Sequence, residues 1–312
     1  MARRHDPMTN ERQPEPQEEA IRDGVRADRA QPGSLYVVAT PLGHLRDVTL
    51  RALDILRSVD VVLAEDTRVT ATLLRRYSID ARTQSVHAYN ESRRVAAVID
   101  ELASGKSVAI VTDAGTPAVS DPGARVVRAV IDAGFRVVPI PGPSAVATAI
   151  SVAGLAAERF VFLGFPPAKA AARRETLDLF GELPAALVIY EAPHRVRATI
   201  AELAGALAGD RMLIVAREMT KKFETIARMR LSEAEGWLGA DAERERGEFV
   251  LIVDAPVSTS VKQGTDADAE RWLDALLDEL PPARAARLVA RMTSLERDAL
   301  YARALALKSS KR

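Results

Sequence analysis

Four short runs combine hydroxyl or carboxyl side chains with glycine or proline: Ala39-Thr40-Pro41-Leu42-Gly43, Ala64-Glu65-Asp66-Thr67-Arg68, Thr112-Asp113-Ala114-Gly115-Thr116 and Pro141-Gly142-Pro143-Ser144. Each closes an apolar, β-prone segment. Glycine and proline let the backbone turn sharply and approach a ligand closely. Carboxylates beside them can grip ribose hydroxyls. In open α/β sheets the ligand crevice lies outside the carboxyl ends of the strands. One such run is equally an ordinary βα turn, whereas four in succession point to a single cleft. The run Asp113-Ala114-Gly115-Thr116-Pro117, a carboxylate flanked by glycine and proline, marks that cleft best.

Rival chemistries leave no trace. There is no G-x-G-x-x-G after the first strand, so a dinucleotide fold is poorly supported. The commonest S-adenosylmethionine-binding fold, which carries a similar glycine-rich turn, is disfavoured with it. No P-loop, H-E-x-x-H or G-x-S-x-G motif occurs. The 4 histidines are scattered and cysteine is absent, so neither a metal site nor thiol chemistry is expected.

These clusters need elements to hold them. Leu35 to Ala39 and Val61 to Ala64 are continuous apolar runs of the kind buried in a parallel sheet. A helix from near Asp47 or Thr49, with Leu50, Leu53 and Leu56 as its stripe, separates them. Helices over 92–103 and 122–133 and strands over 108–111 and 136–140 continue the alternation, which predicts parallel strands with right-handed crossovers. A helix of small residues follows Pro141 to Ser144 and ends near Val152, where the boundary of a first α/β domain (34–152) is expected. A second (153–256) has strands near 159–163, 186–190, 212–216 and 248–253, with helices near 169–180 and 194–208. The stretch 225–247 reads as irregular.

Residues 1–33 are charged and proline-rich and predict a disordered leader, because little there can be buried to offset ordering. Residues 257–267 read as a linker, and 268–312 as a helical segment in which Thr293 and Glu296 form a capping box. The chain has 43 basic and 43 acidic residues, so an anionic partner needs a local site. No apolar run approaches the roughly 18 residues that span a bilayer, and no signal-type segment opens the chain; a cytoplasmic protein without a membrane partner is expected.

Taken in order, the motifs resemble the ribosomal RNA small subunit methyltransferase I family of the tetrapyrrole-methylase-like superfamily. The resemblance runs from Leu35-Tyr36-Val37-Val38-Ala39-Thr40-Pro41-Leu42-Gly43 through Ala64 to Arg68, Thr112 to Pro117, Ser120-Asp121-Pro122-Gly123 and Pro141 to Ala145. It continues through Gly164-Phe165, Tyr190-Glu191-Ala192-Pro193-His194-Arg195, Ala216 to Glu224 and Gly247 to Ile252, and spans about residues 34 to 307. It implies two α/β domains of tetrapyrrole-methylase type with the S-adenosyl-L-methionine cleft between them, plus a small C-terminal helical segment. It further implies 2′-O-methylation of a cytidine in the decoding region of 16S rRNA, and a homodimer. The matching cofactor-side residues are Thr40, Pro41, Gly43, Asp113, Ala114, Gly115, Thr116, Pro117, Pro141, Gly142 and Ser144. His44 stands where asparagine is expected and Thr112 where serine is commoner; both keep their hydrogen-bonding capacity.

Methyl transfer to a ribose hydroxyl needs an in-line approach and a destination for the hydroxyl proton. The candidates are Glu191, Glu218 and Asp66, with Glu65 beside it and Lys221 as a cationic partner. Arg68, His194, Arg195, Arg217 and Lys222 are the candidates for RNA contact, with 16S rRNA or the 30S subunit as partner. Arg284, Arg287, Arg291, Arg297, Arg303, Lys308, Lys311 and Arg312 give the C-terminal segment a local positive surplus that can meet phosphate. Two other readings stay open: a same-fold methyltransferase acting on a tetrapyrrole or other small molecule, and a ribosome- or DNA-binding module using the C-terminal helices.

Overall fold

The computed structural model describes residues 27–87, 89–256, 266–278, 280–293 and 295–310. Most of the expected leader (1–26) and of the expected linker (257–265) lies outside these residues. The end of the leader is not free. Ala30 N donates to Ser58 Oγ (2.9 Å), Gln31 N to the Tyr36 hydroxyl (2.8 Å) and Gly33 N to Lys106 O (3.0 Å). Ordered chain therefore begins before Ser34, because these backbone donors find partners on the first unit.

Strands β1 (Ser34–Val38), β2 (Val61–Ala64), β3 (Thr83–Ser85), β4 (Val108–Val111) and β5 (Arg136–Ile140) form one parallel sheet in the order β3-β2-β4-β1-β5. Every residue of β2 and β4 is buried, which is why both read as unbroken apolar runs. Helices α1 (Leu50–Ser58), α2 (Thr67–Arg76), α3 (Glu91–Ala103) and α4 (Ala124–Asp132) make the connections. Thr49 caps α1 by accepting from Ala52 N at 3.1 Å. The buried stripe of α1 is Ala52, Leu53, Ile55 and Leu56; Leu50, expected in it, sits on the first turn and is exposed. After β1 the chain passes to β2 on one side, and after β4 it passes to β5 on the other. The loops leaving these neighbouring strands therefore part over a crevice.

The second sheet comprises β6 (Phe160–Gly164), β7 (Ala186–Glu191), β8 (Met212–Arg217), β9 (Thr225–Arg230) and β10 (Phe249–Val253), in the order β6-β7-β10-β8-β9. Only β6 and β7 pair in parallel; β10 runs antiparallel to β7 and β8, and β9 antiparallel to β8. Strand β9 falls inside the stretch expected to be irregular. It is an edge strand of alternating burial whose charged residues face out, so it lacks an apolar run.

Helices α5 (Ala145–Ala153), α6 (Ala170–Phe180), α7 (Val196–Ala206) and α8 (Ala234–Gly239) accompany this sheet. Val146, Ala149 and Ala153 of α5 pack in one core with Val188, Ile214 and Ile252. By packing, then, the chain crosses between units at Pro141–Ser144, a helix earlier than the expected boundary at 152. The helix of small residues is short of its own apolar bulk and uses the second sheet as its floor.

Helices α9 (Asp266–Leu277), α10 (Pro282–Met292) and α11 (Arg297–Ser310) enclose a small core around Leu273, Val289 and Leu300. The expected capping box is not formed. Thr293 donates to Val289 O (2.9 Å) and accepts from Leu295 N (3.3 Å), ending α10, and α11 starts only at Arg297. Its hydroxyl is taken up by Val289 O and Leu295 N.

Candidate active site

The loops after β1, β4 and β5 are stitched together by backbone. Thr40 and Gly115 exchange N–H···O bonds of 2.9 and 3.0 Å. Thr40 Oγ1 donates to Thr112 O (2.9 Å), and Thr116 Oγ1 donates to Pro143 O (3.0 Å). Across from them stand the carboxyl end of β7 and the amino end of β10. The space between is a cavity of about 340 Å³, within the size range of small-molecule sites.

Among the expected cofactor-side residues, Asp113, Ala114, Gly115, Thr116 and Ser144 line this cavity, together with Leu42 from the first loop. Thr40, Pro41, Gly43, Pro117, Pro141 and Gly142 are not among the lining residues. Thr40 is buried and spent on joining two loops. Gly142 is a packing glycine, since a Cβ there would meet Ala39 Cβ at 3.0 Å.

One wall is aromatic: Tyr190 meets Phe162 and Phe165 edge-on at 4.9 and 5.5 Å between ring centres. Burial pushes the Tyr190 phenol up to about 12, so it stays neutral. The polar part of the lining is acidic, with Glu65, Asp113, Asp121 and Glu248. Burial raises the carboxyls of Glu65 and Asp113. Asp121 is pushed furthest, up to about 7, first by burial and then by the charges of Glu65, Asp113 and Glu248.

In the sequence Asp121 is one residue of the run Ser120-Asp121-Pro122-Gly123, and nothing in its spacing singles it out. It lies well beyond the end of β4, in a loop that Ala118 and Ser120 enter with φ of 67° and 64°. Such left-handed backbone at non-glycine residues marks a held conformation. The hold comes from α3, where buried Glu91 Oε1 accepts from Gly123 N (3.1 Å), Arg125 N (2.8 Å) and Val126 N (3.3 Å). This carboxylate caps the start of α4 from another element.

Each of the expected catalytic carboxylates has partners within the chain. Glu191 lines the cavity, but its side chain is fully buried and its oxygens are occupied by Thr199 Oγ1 (2.5 Å), Ala192 N (2.8 Å) and an Arg195 Nη (3.3 Å). The Arg195 Nε is 3.1 Å from the same carboxylate but off the hydrogen-bond axis. Asp66 caps α2, accepting from Arg68 N at 2.8 Å, and pairs with the Arg68 guanidinium, which holds its carboxyl down at about 2. Glu218 and Lys221 pair at 3.0 Å, and Lys221 also reaches Glu248 at 2.9 Å. Neither is among the lining residues. Gly247, at φ +91°, leaves the room Glu218 needs: a Cβ there would lie 2.6 Å from its Oε1.

The expected RNA contacts also divide. Arg217 is buried and donates to the Arg246 and Phe223 carbonyls; Arg195 donates to Pro166 O (2.6 Å). Both guanidiniums donate to backbone carbonyls and, for Arg195, to Glu191, which ties them to the second unit. Arg68, His194 and Lys222 remain exposed.

Two facing α/β units with an acid-rimmed cleft at the strand ends are the architecture onto which a methyltransferase family maps. The family profile of tetrapyrrole (corrin/porphyrin) methylases matches residues 34–235. A cobalt precorrin-4 methyltransferase superposes with a TM-score of 0.54 at 18% identity, covering 70% of this chain and 94% of its own. A uroporphyrin-III C-methyltransferase from Thermus thermophilus gives 0.52 at 21%, covering 71% and 94%. The chain belongs to the ribosomal RNA small subunit methyltransferase I family. The proteins of that name from Pseudomonas aeruginosa and Vibrio cholerae are 43% and 44% identical to it. The alignments cover 88% and 86% of this chain and 97% and 92% of theirs. The RsmI C-terminal HTH domain profile matches residues 263–308.

The methyl donor of the family is S-adenosylmethionine, and the cavity fits it. The donor carries a sulfonium, an ammonium and a carboxylate, a net positive charge, on an adenosine with flat base faces and ribose hydroxyls, and the walls offer carboxylates and aromatic faces in complement. An ionised Asp121 attracts this cation and a protonated one does not. Donor affinity is therefore expected to fall roughly three- to fivefold between pH 8 and 6, the effect of about 1 kcal/mol of screened attraction. Calorimetry on wild type and Asp121→Asn checks this, the variant subtracting the titration of the donor's own amine. Identical pH profiles for the two would show that Asp121 does not face the donor.

Proposed function

We propose that this protein methylates the 2′-hydroxyl of a cytidine ribose in the decoding region of 16S rRNA. The observation that carries the reaction is an unpaired carboxyl, Asp121, on the wall of an acid-rimmed cavity and poised near neutrality. Bound there, S-adenosylmethionine supplies an electrophilic methyl group. The chain's part is to orient the donor between the Asp113–Thr116 loop and the aromatic wall, exclude water, and take up the hydroxyl proton at the Asp121 carboxylate. A base with a pKa near the working pH suits that last task. We propose Asp113, Ala114, Gly115, Thr116 and Ser144 as the donor-contacting set, and Glu191 as a positioning residue.

The test uses 30S subunits from a strain lacking the modification, with isotopically labelled donor and mass spectrometry of the digested nucleosides. Label in 2′-O-methylcytidine is expected. Label on a base nitrogen, or on a porphyrinoid while subunits and free 16S rRNA stay unlabelled, would refute the reading. No helix among the described residues is long and apolar enough to cross a membrane. We propose a cytoplasmic homodimer, which light scattering would register as twice the chain mass.

A further inference from the structure

A second concavity, of about 450 Å³, lies where the two units touch. The turn Gly43–Arg46 of the first unit, Arg76 at the end of α2, and Thr220–Lys222 of the second unit line it. His44 N donates to Thr220 Oγ1 at 3.2 Å across the junction. Gly43 rests against Lys221 so closely that a Cβ would fall 2.3 Å from its Cγ. Glycine at 43 therefore allows the contact that closes the floor of the groove.

This groove is the neighbour of the donor cavity. Leu42 and Met219 line the cavity, while Gly43 and Thr220, the next residue on each strand of chain, line the groove. The two concavities differ in charge. The cavity is acidic, whereas Arg46, Arg76 and Lys222 line the groove, and all three are exposed. No described carboxylate pairs with their side chains. Lys221 is different, its ammonium being taken up by Glu218 and Glu248. The His44 Nδ1 accepts from Arg46 N at 3.3 Å, which leaves Nε2 as a donor. On the same loop Phe223 is 64% exposed beneath the Lys222 ammonium, an arrangement suited to stacking a base beside a phosphate contact.

We propose that this groove, through His44, Arg46, Arg76 and Lys222, seats the phosphodiester backbone of the RNA strand whose target nucleotide enters the adjoining cavity. The proposal rests on the rRNA reading above. Unpaired cations held in a concavity gain more from a polyanion than a flat basic face does, because field lines are focused there. Separating a cationic groove from an acidic donor cavity by one residue also keeps RNA phosphate out of the donor site.

The experiment compares full-length wild type with a triple variant, Arg46→Gln, Arg76→Gln and Lys222→Gln, and with Arg76→Glu alone. Fluorescence anisotropy with a labelled single-stranded RNA of decoding-region sequence is read over a salt series, with donor calorimetry as the folding control. Each phosphate contact on a single strand contributes about 0.7 to the slope of log K against log salt. The triple variant should therefore lose about 2 from that slope and weaken RNA binding about tenfold or more at physiological salt. Its KM for unmethylated 30S subunits should rise while donor affinity stays as in wild type. Arg76→Glu should weaken RNA binding by itself. Unchanged slope and affinity in both variants, with wild type still methylating subunits, would overturn the groove and leave the function standing. A wild type that neither binds RNA nor methylates subunits would overturn both. Inorganic phosphate is the other probe: saturable binding of it that RNA does not displace would also overturn the proposal.

Discussion

Asp121→Asn is expected to lower kcat by about a hundred- to ten-thousandfold, the usual contribution of a positioned base, while donor and RNA still bind. Asparagine keeps the shape and loses the proton acceptor. In wild type, kcat/KM should rise with pH through about 7, because the free enzyme must first ionise Asp121. With the donor cation bound beside it the carboxyl ionises more readily, so the limb in kcat should lie at lower pH. Both limbs should vanish in the variant. A variant that retains the wild-type rate and pH profile would remove Asp121 from the chemistry.

The same substitution has a stability signature of opposite sign. A carboxyl whose folded pKa is raised binds its proton more tightly in the folded than in the unfolded chain. Its penalty is absent below the unfolded value near 3.8, grows as pH rises, and is complete above about 7. Asp121→Asn should therefore raise Tm at pH 8 and leave it nearly unchanged at pH 4, with solvent screening at this part-exposed site keeping the gain modest. Lower activity with higher stability is what a group retained for chemistry produces.

How much of this the sequence carried depends on the range of the contacts involved. Strands β2, β4, β7, β8 and β10 are legible because buried strands are written as continuous apolar runs. Strand β3 has three residues, none fully buried, and β9 is an edge strand, so neither leaves such a run. The loops that line the cavity were visible because glycine and proline at strand ends are local signals. Asp121 was not, since its place depends on Glu91, 30 positions earlier in the chain, and on two left-handed residues with ordinary side chains. Arg217 misled for the converse reason. A charged residue closing an apolar strand reads as solvent-facing, and only the fold shows that the Arg246 and Phe223 carbonyls consume it.

Glu191 is one of the catalytic candidates offered by sequence and the one that lines the cavity, and removing it separates a chemical from a structural role. Glu191→Ala strips the partner from Arg195, leaving a part-buried guanidinium and the buried Thr199 hydroxyl without their acceptor. Breaking a buried pair from one side typically costs about 3–5 kcal/mol. That figure sets the upper end here, because the Arg195 side chain is 22% exposed and also holds Pro166 O. Thermal unfolding should show a large loss of Tm. Glu191→Gln, whose one amide oxygen still accepts on the Thr199 and Arg195 side while its NH2 faces Ala192 N, should lose less. The lesion should also reach the donor cavity, because Arg195 anchors Pro166 next to Phe165, and Phe165 forms part of the aromatic wall. Donor affinity should therefore fall in Glu191→Ala and largely recover in Glu191→Gln, while the pH limb of kcat stays where wild type has it. A base would behave differently: both variants would lose kcat alike, and the pH limb with it. If Glu191→Gln is as slow as Asp121→Asn and has the wild-type Tm, Glu191 belongs in the chemistry and Asp121 does not hold it alone.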